Sequence, residues 1–256
     1  MFPLEFLALT FAISLAAFFC ILRVPAARSP EVPTGLPFWL MMVWGPSLAA
    51  ILLSWRENTL WTLLNRVVMV SSVPVSAWCL VIAPLLILVV IRPKAPDATT
   101  PLGLKLFLAM VTLNLILGPL GEELGWRGYL QDGLTLHVGW LEASLLVGLI
   151  WLIWHLPLWM IDSPHSKIAL PLFAAHVMCY TVIIGAIYAL SGGSIFSAIM
   201  AHLTVNLASN LAVFAGFQEP NAWFRASLPS FVVLSLVSIG LVVAETGQTG
   251  LSSFGL

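Results

Sequence analysis

Two adjacent carboxylates, Glu122 and Glu123, and an arginine, Arg127, stand in a stretch of chain that is otherwise apolar enough to cross a membrane. A carboxylate at mid-membrane depth costs roughly 2.5 to 3.5 kcal/mol on insertion scales, so such a pair persists only where partners or water meet it. On a helix Glu123 and Arg127 lie four residues apart, on one face and within pairing reach, whereas Glu122 is turned about 100° away from Glu123. The spacing therefore separates the two glutamates. Arg127 neutralises and orients Glu123, and Glu122 projects elsewhere as the candidate acid or base. The plainer reading is a helix-end ion pair with Glu122 reaching to water.

Two further polar sets interrupt apolar runs. Trp151 and His155 are spaced i, i+4, and Pro157 removes the backbone hydrogen bond to residue 153, which predicts a kink beside the imidazole. His202, Asn206 and Asn210 form one stripe at successive i, i+4 positions. Taken singly, a membrane histidine is a packing residue, and an amide stripe is interhelical glue worth about 0.6 kcal/mol per hydrogen bond. Three helices each carrying such groups are harder to set aside. The remaining candidates are weaker: His176 has no charged or amide side chain at i±4, His137 and His165 fall in short loops, and Asp132, Glu142 and Glu245 sit near span ends, where solvation is expected. Ser144 lacks a Gly-x-Ser-x-Gly setting.

The elements that must position these groups are transmembrane helices. Of 256 residues 60% are hydrophobic and 8% charged, with a mean hydropathy of +1.03, against about 25% charged in a soluble protein. A formal charge of -1 offers no basic surface for nucleic acid. Eight apolar stretches are long enough to cross about 30 Å of hydrocarbon: 3–22, 36–55, 73–91, 102–120, 139–161, 170–190, 194–217 and 226–245. Proline-bearing linkers at 23–35, 92–101 and 163–167 are too short to hold a soluble domain. The first stretch lacks a positive n-region and a cleavage site, which predicts a retained anchor. Between the second and third, Leu60, Leu63, Leu64 and Val67 recur at helical spacing opposite Asn58, Thr62, Asn65 and Arg66, the pattern of a short interfacial helix. Cys20, Cys79 and Cys179 fall in apolar runs, and an odd count gives no disulfide framework. The expectation is a single all-α domain over 1–256, a bundle of about eight transmembrane helices plus that interfacial helix, with its motif-bearing core at about 102–217.

Glu122-Glu123-x-x-x-Arg127, Trp151-x-x-x-His155 and His202-x-x-x-Asn206, in that order and on three helices, resemble the three motifs of the CPBP family of intramembrane proteases. That family includes the type II CAAX prenyl endopeptidases and the Abi proteins. Trp44-Gly45-Pro46 with Ala49-Ala50, and Leu63-Leu64-Asn65-Arg66, are also similar to its upstream region. One departure is Trp151, where the family more often has Phe; another aromatic is expected to serve the same packing. The resemblance implies a glutamate-dependent endopeptidase acting on a membrane-associated or prenylated protein or peptide, in a bacterial or archaeal cell membrane. Glu122 with His155 would activate water, and His202 with Asn206 would donate hydrogen bonds to the oxyanion. Glu123, Arg127 and Trp151 would support them, with no metal cofactor.

Three rival readings use the same groups. Glu122, His155 and His202 make the two-His, one-carboxylate set of a catalytic zinc site, although no His-Glu-x-x-His helix is present. They also suit a proton relay, although the chain shows no duplicated half. A non-catalytic immunity or scaffold protein is the third. Orientation divides the two lines of argument: seven of the ten Lys and Arg fall on the odd-numbered connections, which puts both termini outside by the positive-inside rule. The resemblance puts them inside, and that orientation is the one expected.

Overall fold

A computed structural model describes residues 3–28, 32–93 and 102–247. Pro30 and most of the 92–101 linker, with Lys94 and Pro96, lie outside the described residues. Among the described residues the fold is all helix: α1 (Leu4–Arg23), α2 (Leu36–Val43), α3 (Gly45–Arg56), α4 (Leu60–Asn65), α5 (Val75–Ile91), α6 (Leu104–Ile116), α7 (Pro119–Gly125), α8 (Asp132–Thr135), α9 (Trp140–His155), α10 (Leu170–Leu190), α11 (Ile195–Leu211) and α12 (Pro220–Thr246). Among the described residues, five helical stretches are long and apolar enough to cross a membrane, and α2 with α3 makes a sixth, bent by 57°. The apolar helices α5 and α11 have 17 residues each, the short end of the spanning range of about 17 to 25 residues. Each of the eight apolar stretches of the sequence thus contains helix, and five or six of those helices are long enough to span, as in a polytopic all-α membrane protein.

α10 is the centre: Tyr180 through Tyr188 is buried without interruption, with Thr181 Oγ1 and Tyr188 OH bonded to neighbouring residues. Helices α9, α11 and α12 pack on it, and α3 and α11 flank α7. The Pro3 to Leu22 stretch forms α1, which packs on α2 and α3.

Where the sequence reads one apolar run from 102 to 120, the chain breaks. α6 ends at Ile116 and α7 restarts at Pro119, whose missing N–H suits a first helical turn. Close packing holds the restarted helix: a Cβ on Gly125 would come within 2.5 Å of the Pro46 backbone, and one on Gly121 within 2.8 Å of Trp44 Cδ1. α7 therefore lies against α3 at backbone distance, as small residues permit. From Trp126 to Gln131 the helix widens into a π-helical turn, a feature that appears mostly as single-turn bulges at functional sites. α11 starts at a capped turn, Ser194 Oγ accepting from the Ser197 N–H at 3.2 Å.

The short α4 and the 3₁₀ turn Arg66–Val68 that follows it occupy the position expected of the interfacial helix. Leu63 is buried and Trp61 exposed. Arg66, expected on the polar outer face, instead turns inward. Its Nε donates to Gly193 O at 2.8 Å, and its guanidinium pairs with Asp132. Asp132, expected to be solvated, also accepts from Tyr188 OH at 2.7 Å. Of the cysteines, Cys179 is buried and all three are free, but Cys79 is exposed on the outside of α5 rather than in the core.

Candidate active site

The buried centre is built on α7 and its π-turn. Glu122 is 4% exposed. One of its carboxylate oxygens, Oε2, accepts from two indoles: Trp151 Nε1–H of α9 at 2.6 Å and Trp126 Nε1–H, one turn along the same segment, at 3.2 Å. Trp126 is fixed by edge-on packing against Trp154 and Phe6, with centroids 5.9 and 6.0 Å away. Among the described residues, Glu122 makes no ion pair.

Glu123, the next residue, takes the charges. Its Oε1 accepts from Arg127 Nη1 at 2.9 Å and lies 2.6 Å from His202 Nδ1 of α11, and both Glu123 and Arg127 are fully enclosed. Arg127 Nη2 also donates to Thr181 Oγ1 of α10 at 3.3 Å, and that hydroxyl donates onward to Ser144 O of α9 at 2.9 Å. The guanidinium lies 5.3 Å from the Trp151 ring centroid, within cation–π range. Four helices thus converge on the Glu123–Arg127 pair. The fit is incomplete, since Glu123 Oε2 and Arg127 Nε are enclosed without a hydrogen-bond partner.

His155 closes α9. The predicted kink at Pro157 takes another form: the α-helix ends at His155 and continues as a 3₁₀ turn over Leu156–Met160, which absorbs the missing proline N–H by changing the bonding pattern. His155 Nδ1 lies 2.8 Å from Trp151 O. A carbonyl only accepts, so Nδ1 carries the hydrogen, and Nε2 is the free ring nitrogen. The ring is enclosed by Trp151, Trp154 and Phe173, at 5.4, 4.8 and 5.3 Å.

The structure also brings in His165, from the short loop between α9 and α10. Its ring centroid is 5.5 Å from that of His155 and its Nδ1 is enclosed without a partner. Burial pushes this imidazole down to about 4. A histidine in a Ser-Pro-His-Ser turn carries no local signal of such a contact.

The α11 stripe divides. His202 goes to Glu123, with its ring 5.1 Å from Trp151. Asn206 lies beside the α6–α7 break, its Nδ2 only 3.1 Å from where a Cβ on Gly118 would be. Asn210 leaves the cluster and donates to Asn114 Oδ1 of α6 at 2.7 Å. Trp151 stands between the two motif histidines and also donates to Glu122, a contact that a phenylalanine could not make. The packing role expected for it was therefore too small. His176 is a packing residue as expected, held by Leu172 O and Ser227 Oγ. Ser144 Oγ donates to its own helix at Trp140 O.

Of the alternative zinc set, His202 presents Nδ1 to Glu123 rather than to Glu122. Among the described residues, no three His, Cys, Asp or Glu side chains are gathered as a metal-holding group. An apolar crevice lies beside the cluster rather than over Glu122, bounded by Phe11, Phe18, Met42, Trp154 and Pro157.

A buried carboxylate held by two indole donors thus lies beside a second carboxylate that holds an arginine and a histidine. Residues 104–208 match the family described as type II CAAX prenyl endopeptidase, Rce1-like, and all of the residues from Glu122 to Asn206 lie within that match. CAAX prenyl protease 2 of Methanococcus maripaludis is 39% identical over 56 residues, which cover 22% of this chain and 21% of that relative.

Proposed function

We propose that the protein is an intramembrane endopeptidase that hydrolyses a membrane-associated or prenylated protein or peptide with water activated by Glu122. The observation that carries this reading is the division between the two glutamates. Glu123 is committed to Arg127 and His202, whereas Glu122 is buried without an ion pair and keeps one oxygen, Oε1, outside its hydrogen bonds to the two indoles. An uncommitted carboxylate oxygen that a water can approach to hydrogen-bond distance is what a general base requires.

In this mechanism Glu122 Oε1 takes a proton from water as the oxygen of that water adds to the scissile carbonyl. His155, with Nε2 free, is the partner that moves the proton toward the leaving amine. His202 and Asn206 supply hydrogen bonds to the developing oxyanion, and removing one such donor typically costs about 10² to 10³ in rate. For His202 to donate from Nε2 while Nδ1–H is directed at Glu123, both ring nitrogens must carry a hydrogen. Glu123 then holds His202 much as the buried aspartate holds histidine in serine proteases. The resemblance to CAAX prenyl proteases supports the substrate class, and the membrane position of the site supports a substrate presented from the bilayer.

The test is to incubate purified protein in detergent with isoprenylated and unmodified membrane-derived peptides, with wild type compared against Glu122→Gln. Cleavage by wild type alone is expected, unaffected by a phenanthroline chelator. Cleavage by both proteins, or by neither, defeats the reading; activity lost together with stoichiometric zinc would transfer it to the metalloprotease alternative.

A further inference from the structure

We infer that Trp151 and Trp126 are positioning residues for Glu122: two indole N–H groups fill Oε2 and so select Oε1 as the oxygen that meets water. The inference rests on Glu122 being the base of the proposed function, and it adds how that base is aimed.

An indole nitrogen donates and never accepts, so each contact fixes the direction of the bond without any choice of tautomer. The two donors come from different elements: Trp126 from the π-turn that follows α7, and Trp151 one turn before the end of α9. The carboxylate is therefore held between two walls rather than hung from one. Neither ring has room to turn. Trp126 is fully buried between Phe6 and Trp154, and Trp151 is 3% exposed and lies between His155 and His202. The Arg127 guanidinium, 5.3 Å from the Trp151 ring, fixes that ring from a third side. Arg127 thus acts on both glutamates, directly on Glu123 and through the indole on Glu122. A phenylalanine at 151 would fill the ring volume but leave Oε2 with one donor, freeing the carboxylate to rotate about its last torsion, which is soft for a glutamate. Rotation exchanges the two oxygens and spoils an orientation on which the rate depends, since misplacement by about 1 Å can cost on the order of 10²-fold.

Two measurements test this on the whole protein in detergent micelles. In the first, indole nitrogens are labelled with ¹⁵N, and the Trp126 and Trp151 N–H signals are assigned from Trp126→Phe and Trp151→Phe. In Glu122→Gln both signals should move upfield as a neutral oxygen replaces the carboxylate, that of Trp151 further because its bond is shorter. In the second, with the peptide cleaved in the assay above, Trp151→Phe should lower kcat about tenfold or more while KM changes by less than about twofold, with a smaller effect from Trp126→Phe. Indole signals unmoved in Glu122→Gln, or Trp151→Phe with wild-type kcat, would overturn the inference. If Glu122→Gln stays active, the functional reading fails but the shifts still decide whether the indoles hold the carboxylate. If Glu122→Gln is inactive and the shifts are absent, only the positioning role is lost. Should Trp151→Phe fail to fold, the Glu122→Gln shifts and Trp126→Phe kinetics carry the test.

Discussion

Two arginine–carboxylate clusters take their carboxylates, Glu123 and Asp132, from the same stretch of chain and have opposite physical characters. Arg127 with Glu123 is fully enclosed, whereas Arg66 is 17% and its partner Asp132 44% exposed at the side chain. Their construction is alike. Each guanidinium also finds an oxygen on another helix or turn, Thr181 Oγ1 or Gly193 O, and each lies over an aromatic ring, Trp151 or Tyr188. What differs is access to water. Around Arg66, solvent replaces whatever the pair loses, so that cluster is a tether holding α4 to the start of α8 and to α11. Around Arg127 nothing replaces a lost partner, and the enclosed Glu123 Oε2 and Arg127 Nε already lack one. A centre that is expensive to assemble and difficult to relax holds its geometry, which is what the neighbouring Glu122 needs.

The comparison breaks first at Glu123. Replacing it by Gln leaves Arg127 and His202 buried without their anion, and a loss of about 3 to 5 kcal/mol is expected, read as a lowered midpoint in thermal unfolding in detergent. Glu122→Gln, whose side chain holds no charge partner, should unfold close to wild type. Equal midpoints for the two variants would erase the distinction between the glutamates.

Asn206→Ala sharpens the boundary of the enclosed cluster. If its amide faces the oxyanion, turnover should fall by about 10² or more with little change in substrate affinity. Asn210→Ala, one turn further and bonded to Asn114, should leave turnover near wild type. Steady-state kinetics on the two variants separates a donor from interhelical glue.

At the exposed cluster, Asp132→Asn should cost no more than about 1 kcal/mol, since ion pairs with access to water contribute about 0 to 1 kcal/mol. A loss comparable to that of Glu123→Gln would show that Arg66 is as captive as Arg127.

A pH-dependent contribution is expected at His165, outside the membrane-spanning segments. Its imidazole is held neutral down to about 4, below its unfolded value of 6.5. The unfolded chain therefore takes up a proton first as pH falls, and the contribution to stability is present above about 6.5 and lost progressively between about 6.5 and 4. Unfolding midpoints of His165→Phe should fall less steeply than wild type across that window. Parallel curves would mean that the ring titrates normally.

Local regularity made much of this legible from residue order. The Glu123–Arg127 pair needs only the helical repeat, so four-residue spacing on one element was enough to predict it, and the same repeat turned Glu122 away. Apolar runs of twenty residues marked the helices because lipid leaves the backbone no other way to satisfy its hydrogen bonds. The α6–α7 break was less visible: Pro119 was there to be read, but the run stayed apolar through it. Contacts between helices were not legible. His202 reaches Glu123 across 79 positions, Trp151 reaches Glu122 across 29, and His165 meets His155 only because a turn folds back over the end of α9. Periodicity states which residues share a face of one helix but not which way that face points. In this molecule the direction is set by contacts such as Gly125 against Pro46 and Gly185 against Ser144, where absent side chains let backbones meet at one rotation and not at others. Residue order alone therefore determined that two glutamates would differ. The packing of α3, α9 and α11 around α7 decided that one would be given an arginine and a histidine and the other two indoles, because only helices already fixed in rotation can aim a side chain across the space between them.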